Sequence, residues 1–141
     1  MINKTQTNIL VIDGQGGKLG RQLIVSIREA NLNVHITAVG TNTIATTNMM
    51  KAGVDVAVTG ENAVVYNTRH ADIIVGPIGI VVADSLFGEI TPLMAQAIGQ
   101  SRAFRVLIPI NKCHNIIVGS HNLNLTKMIE ATIDAIKEII S

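Results

Sequence analysis

Residues 11–24 read VIDGQGGKLGRQLI, with glycines at positions 14, 16, 17 and 20 between an apolar run and an amphipathic one. Glycine carries no Cβ, so such a loop turns tightly and lets a ligand reach the main chain. Where the loop opens a helix, the unpaired N–H groups of the first turn and the positive end of the helix dipole attract an anion, above all a phosphate. The spacing is G-x-G-G-x-x-G, with Leu19 standing where the dinucleotide fingerprint G-x-G-x-x-G has its third glycine. The chemistry on offer at Gly14, Gln15, Gly16, Gly17, Lys18, Leu19 and Gly20 is therefore the cradling of a phosphate. A strand-to-helix turn that binds nothing draws on the same residue types.

Four further clusters of small and polar residues each follow a β-branched run: Gly40-Thr41-Asn42, Thr59-Gly60-Glu61-Asn62, Gly76-Pro77 and Asn111-Lys112-Cys113-His114. If those runs are parallel strands, the clusters share the carboxyl edge of the sheet with the glycine loop, and that edge is where open α/β sheets bind ligands. A site selective for NAD places Asp or Glu at the end of the second strand, about 20 residues past the loop, to take the ribose hydroxyls. Here that end reads Val39-Gly40-Thr41-Asn42, so ordinary NAD selectivity is not encoded. Thr41 and Asn42 can donate to a 2′-phosphate, but no arginine stands beside them. The expected ligand is thus a small phosphorylated molecule: NAD(P), another nucleotide or a phosphorylated metabolite.

The remaining reactive side chains read more quietly. Asp13 ends the first apolar run and is either a turn residue bonding its own backbone or the partner of a hydroxyl, a proton or Mg²⁺. Glu61 complements the dipole of the helix it opens, and Glu89, beside Gly88, is by default an exposed loop acid, or else part of a mobile loop over the pocket. Ser85 lacks a nucleophile-elbow pattern. Adjacent Cys113 and His114 point to opposite faces of an extended segment, which leaves Lys112 as the more useful group, a cation at the ligand edge. His35, His70, His114 and His121 show no metal-ligand spacing, so no metal is expected and no catalytic residue is assigned.

These residues need a scaffold of alternating strands and helices. Strands are expected at 9–12, 34–39, 54–58, 73–75 and 106–110, each apolar almost throughout, as parallel strands covered on both faces should be. Helices are expected at 18–30, with Leu19, Leu23, Ile24 and Ile27 on one face, at 41–51, closed by Gly53, and at 61–66. A fourth opens at Thr91-Pro92 and a fifth after Asn124, its stripe of Leu125, Met128, Ile129, Thr132, Ile133, Ile136, Ile139 and Ile140 packing on the sheet or pairing with a second copy. The few residues between Ile110 and Ile116 are too short for a helical crossover and predict a hairpin to an antiparallel edge strand at 116–118.

Composition bounds the rest. The 141 residues fit one domain, and 11 Lys and Arg against 10 Asp and Glu, with one Tyr and two Phe, give neither a phosphate-backbone footprint nor a base-stacking platform, so no nucleic-acid partner is expected. Residues 73–83 are uncharged but carry Gly76, Pro77 and Gly79 and are too short to span a bilayer. A single cysteine and a polar start fit a cytoplasmic protein. Apolar residues make up 48%, or roughly 56% with glycine, above the usual share, and part of that excess is expected to meet another subunit in a homo-oligomer, a dimer in the simplest case.

Residues 14–24, GQGGKLGRQLI, resemble the nucleotide loop of dihydrodipicolinate reductases, a nicotinamide-dependent family with the pattern G-x-G-G-[RK]-[ML]-G-R. The likeness covers about a tenth of the chain, and the substrate domain of those reductases has no counterpart in it. Over most of its length, through VIDGQGGKLG, VGTNTIATTNMMKAG, VTGENAVV, DIIVGPIGIVVADSLFGEITPLMAQAI and VLIPINKC, the chain resembles a small bacterial family known as a domain of unknown function. That resemblance implies a Rossmann-like α/β fold and brings no activity with it. The expected architecture is a three-layer Rossmann-like domain whose mostly parallel sheet has about five strands. Two functions stay open: a module that binds a nucleotide or dinucleotide, and a small oligomeric NAD(P)-dependent oxidoreductase, or other nucleotide-using enzyme, completed by a partner subunit.

Overall fold

The computed structural model describes residues 2, 4–110, 114–120 and 122–141. Five strands, β1 (Thr7–Asp13), β2 (Val34–Gly40), β3 (Val56–Thr59), β4 (Ile73–Pro77) and β5 (Phe104–Ile108), alternate with α1 (Lys18–Glu29), α2 (Thr43–Met50), α3 (Glu61–Asn67), α4 (Pro92–Gln100) and α5 (Leu125–Ile140). The sheet runs β3-β2-β1-β4-β5 and every pairing in it is parallel. The order reverses beside β1, so the topological switch point lies between β1 and β4, with all five carboxyl ends on one edge.

The apolar strands alternate sides, and each side has its own core. Ile9 and Val11 of β1 pack with Leu23 and Ile27 of α1, Met49 of α2, and Met128, Ile136 and Ile139 of α5. Leu10 and Ile12, pointing the other way, pack with Val64 of α3, Met94 and Ile98 of α4, and Ile80, Leu86 and Ile90 from the connection between β4 and α4. Two buried faces explain the unbroken apolar runs Ile9-Leu10-Val11-Ile12 in β1 and Ile73-Ile74-Val75 in β4. The α5 stripe is therefore used on the sheet: Met128, Thr132, Ile136 and Ile139 turn inward.

The start signals act where side-chain chemistry places them. Asn42, Thr91 and Asn124 each accept a hydrogen bond from the backbone N–H three residues on, capping α2, α4 and α5, and Pro92 occupies the first turn of α4. Four starts move, the first that of central β1, which begins at Thr7 rather than 9. The α2 helix starts at Thr43 rather than 41, because Asn42 in extended conformation serves as its cap. Strands β3 and β5 sit two residues from their expected starts, both at sheet edges where half-exposed residues blur the apolar pattern.

The antiparallel edge strand is not seen. Residues 116–118 are irregular, with Ile116 88% and Val118 94% exposed. A β-branched run forms a strand only when a neighbouring strand receives its hydrogen bonds, and this run finds none among the described residues. The sheet is fully parallel.

Candidate functional site

The glycine loop is held from below by the last residue of β1. Asp13, 3% exposed, accepts the Gly14 N–H on Oδ1 at 2.8 Å and the Gly20 N–H on Oδ2 at 2.8 Å, tying both ends of the loop to one carboxylate. Burial raises the Asp13 pKa, the bonds from Gly20 and Gly14 pull against that rise, and the charge of Glu89 adds to it. From the side, Asn42 Nδ2 donates to the Gln15 carbonyl at 3.0 Å and Asn48 Nδ2 to the Gly16 carbonyl at 2.9 Å.

The four glycines have different reasons to be glycine. Gly17 is the N-cap of α1 at φ +73°, and a Cβ there would stand 2.6 Å from the Ala45 carbonyl oxygen of α2. Gly14 faces the Thr41 hydroxyl, and Gly20 packs against Met49. Only Gly16, of the four, looks into open space, with no atom within 4 Å of where its Cβ would be. Three of the glycines thus pack the protein against itself and one faces outward.

That outward corner and the start of α3 both lack a side-chain cap, but α3 has Glu61 in its first turn. No side chain caps α1 and no acidic residue lies in its first turn. Gly20 N–H goes to Asp13 and Gly17 N–H to the Gly14 carbonyl, while the N–H groups of Gly16, Lys18 and Leu19 find no acceptor among the described residues. A groove of about 330 Å³ runs from Gly16 along α2 past Thr43, Thr47 and Asn48 to Lys51. A second, of about 580 Å³, passes Lys18 and Arg21 between α1 and α5. Lys18 and Arg21 thus line the one groove and Lys51 the other, with the Arg21 guanidinium donating to Asn48 Oδ1 at 3.0 Å.

The inner side of the loop is already occupied. Glu89, sent over from the connection between β4 and α4, receives three bonds on Oε1: from the Gln15 N–H at 2.8 Å, the Thr41 hydroxyl at 2.5 Å and Asn42 Nδ2 at 2.9 Å. Burial works to raise the Glu89 pKa, but the bonds from Thr41, Gln15 and Asn42 outweigh it and hold the carboxyl below its ordinary value. The residue expected by default to be an exposed loop acid is half-buried and bridges the loops that follow β1 and β2. The carboxylate absent from the end of β2 is delivered there by a distant loop.

The other sequence candidates scatter. Thr59 lies two strands from β1, about 10 Å across the sheet, its hydroxyl 2.7 Å from that of Thr46, while Glu61 and Asn62 point into solvent. Gly40 is enclosed by Thr46 and Asn42, and Gly76 packs on the Ile12 carbonyl and Ile80, with buried Pro77 beside it. Ser85 is buried and donates to the carbonyls of Gly79 and Val82. Asn111, Lys112, Cys113 and His121 lie outside the described residues. Among the described residues no three His, Cys, Asp or Glu side chains come together as metal ligands, and no helix is long and apolar enough to cross a membrane.

A family described as Domain of unknown function (DUF3842) matches residues 8–141, from within β1 through the whole of α5. The chain belongs to DUF3842. The matched span of this DUF3842 chain holds the glycine loop, Thr41, Asn42 and Glu89. No curated protein sequence matches the chain. Among solved structures, the chain is similar to a dodecameric FMN-dependent UbiX-like decarboxylase from Escherichia coli O157:H7, at 14% identity and a TM-score of 0.46 over 95% of this chain and 93% of that one.

Proposed function

We propose that this domain binds a small phosphorylated molecule, a nucleotide or dinucleotide by class, with a phosphate on the first turn of α1. The observation that carries the reading is the uncapped start of that helix. The N–H groups of Gly16, Lys18 and Leu19 meet no acceptor among the described residues, whereas α2, α4 and α5 each have a side-chain cap. A phosphate there completes the helix terminus as a capping side chain does elsewhere, and Lys18, Arg21 and Lys51 flank it with positive charge. Gly16 lets the anion approach the main chain. The adjoining groove along α2 has room for the rest of the ligand, with Thr43, Thr47 and Asn48 as polar contacts. The far-edge residues Thr59, Gly60, Glu61 and Asn62 have no part in this reading, and the domain works as a homo-oligomer.

The test is a thermal-shift screen of NAD(H), NADP(H), flavins, adenine and guanine nucleotides and sugar phosphates. A ligand at about 100 times its Kd stabilises the fold by about 2.7 kcal/mol. Gly16→Asp puts a side chain and a negative charge where the phosphate sits, in a position open enough to leave the fold intact. The expected result is a shift for wild type that the variant loses. No shift with any phosphorylated ligand, or an equal shift in Gly16→Asp, overturns the proposal.

A further inference from the structure

The connection between β4 and α4 reaches over the loops that follow β1 and β2 as a compact loop. Asp84 N–H donates to the Ile90 carbonyl at 2.7 Å and Gly88 N–H to the Asp84 carbonyl at 3.0 Å, so residues 84–90 hold together as a unit. One side of that unit is anchored: Leu86 is 2% exposed, and its Cδ1 lies 2.9 Å from where Gly14 would carry a Cβ. Its tip is not, since Phe87 is 96% exposed. Asp84, Leu86 and Phe87 all adopt left-handed backbone, at φ +67°, +57° and +56°, a conformation that side chains with a Cβ disfavour and that only surrounding contacts maintain.

The polar contact that keeps the loop down is Glu89. Its Oε1 accepts from a main-chain N–H of one loop and from two side chains of another, and three converging donors on one oxygen are the arrangement a protein offers to an oxyanion. Asp13 is the other carboxylate nearby, below Gly14, and it repels rather than holds Glu89.

We infer that residues 84–90 form a latch in which the Glu89 carboxylate stands in for an oxyanion of the ligand, and that a ligand with two oxyanion groups, a diphosphate by chemistry, displaces it. One group lies on the first turn of α1 and the second takes over the Gln15 N–H, the Thr41 hydroxyl and the Asn42 amide. The inference rests on the phosphate reading above and adds its regulation: the second oxyanion position is held by the protein's own carboxylate. A latch closed nine-tenths of the time weakens apparent affinity about tenfold, and removing it restores that factor.

The test uses wild type, Glu89→Gln and Glu89→Ala, with circular dichroism checking that each keeps its fold. Without ligand, both variants should show faster hydrogen–deuterium exchange at the Gln15 amide and faster chymotryptic cleavage after Phe87. Calorimetry with inorganic pyrophosphate and with ADP should give about tenfold tighter binding to the variants. Unchanged exchange at Gln15 in both variants overturns the latch. Binding by wild type that is equal or weaker in both variants also overturns it, by making Glu89 a bystander or a ligand contact, and leaves the phosphate reading standing. Silence of all three proteins toward both probes overturns the latch, and the wider screen above then decides the phosphate reading.

Discussion

The Asp13 carboxylate spans seven residues of sequence to bond the Gly20 N–H at 2.8 Å, joining the end of β1 to the first turn of α1. With its other oxygen on the Gly14 N–H, it satisfies two buried donors that water does not reach. Asp13→Ala strands both donors and should destabilise the fold by about 2–4 kcal/mol in urea unfolding. A loss under about 0.5 kcal/mol, the range of an ordinary surface change, would remove Asp13 as the clamp of the loop.

Acid titration should separate Asp13 from the other shifted carboxylates. Glu89 is held below its ordinary 4.5, and Asp55 below 3.8, the latter by the Ile36 N–H first and Arg28 next, against its burial. For both, the unfolded chain takes up protons first, so their stabilisation is present above those ordinary values and is lost as pH falls through the folded values. Asp13 runs the other way: its folded pKa lies above 3.8, so the folded state takes up the proton first and stability rises as pH falls through that window. Asp13→Asn lacks that compensating gain. Its Tm should fall more steeply than that of wild type between about pH 6 and pH 3, and parallel curves would refute the assignment.

The two adjacent glycines should respond oppositely to alanine. Gly17→Ala forces a Cβ at φ +73° to within 2.6 Å of the Ala45 carbonyl, where helix backbone cannot yield as a side-chain tip can. The expected loss is about 2–4 kcal/mol by denaturant unfolding. Gly16→Ala should stay within about 0.5 kcal/mol of wild type, because nothing lies near its Cβ. Equal effects would mean that the loop does not sit against α2 as described.

Ile116 and Val118, 88% and 94% exposed, are the expected seat of contact between copies. Sedimentation of wild type at micromolar concentration should give a species larger than the 15.0 kDa chain, and Ile116→Asp with Val118→Asp should reduce it. A wild-type monomer, or an assembly indifferent to the double change, defeats this expectation.

What was legible in the sequence is what local pattern controls. Strands β1 and β4 announce themselves because both faces are buried, which leaves unbroken apolar runs, β2 does so through β-branched residues despite half-buried His35 and Thr37, and Asn42, Thr91 and Asn124 mark helix starts through bonds only three residues long. β5 was harder, since exposed Phe104 and Arg105 begin it at the sheet edge. Ile116-Ile117-Val118 carried strand propensity without a partner strand, and a parallel sheet supplies partners only through distant crossovers. Glu89 was out of reach for the same reason: its donors Thr41 and Gln15 lie 48 and 74 residues away, beyond any motif. The one available hint was an acid after Phe87-Gly88, at the mouth of a capped helix.

The parallel order also sets a timetable for synthesis. β1 pairs on one flank with β2, made soon after it, and on the other with β4, whose last residue is Pro77. At ribosomal speeds of about 5–20 residues per second, the stretch from Gly14 to the end of β4 takes roughly 3–13 s to appear. Through that interval β1, with its buried run Ile9-Leu10-Val11-Ile12, has one row of backbone groups unsatisfied, and a nascent neighbour on the same message carries the same strand. The seam at the centre of the finished sheet therefore stays open while β2, β3 and their helices are made, and the growing chain needs shelter there before Ile73 emerges.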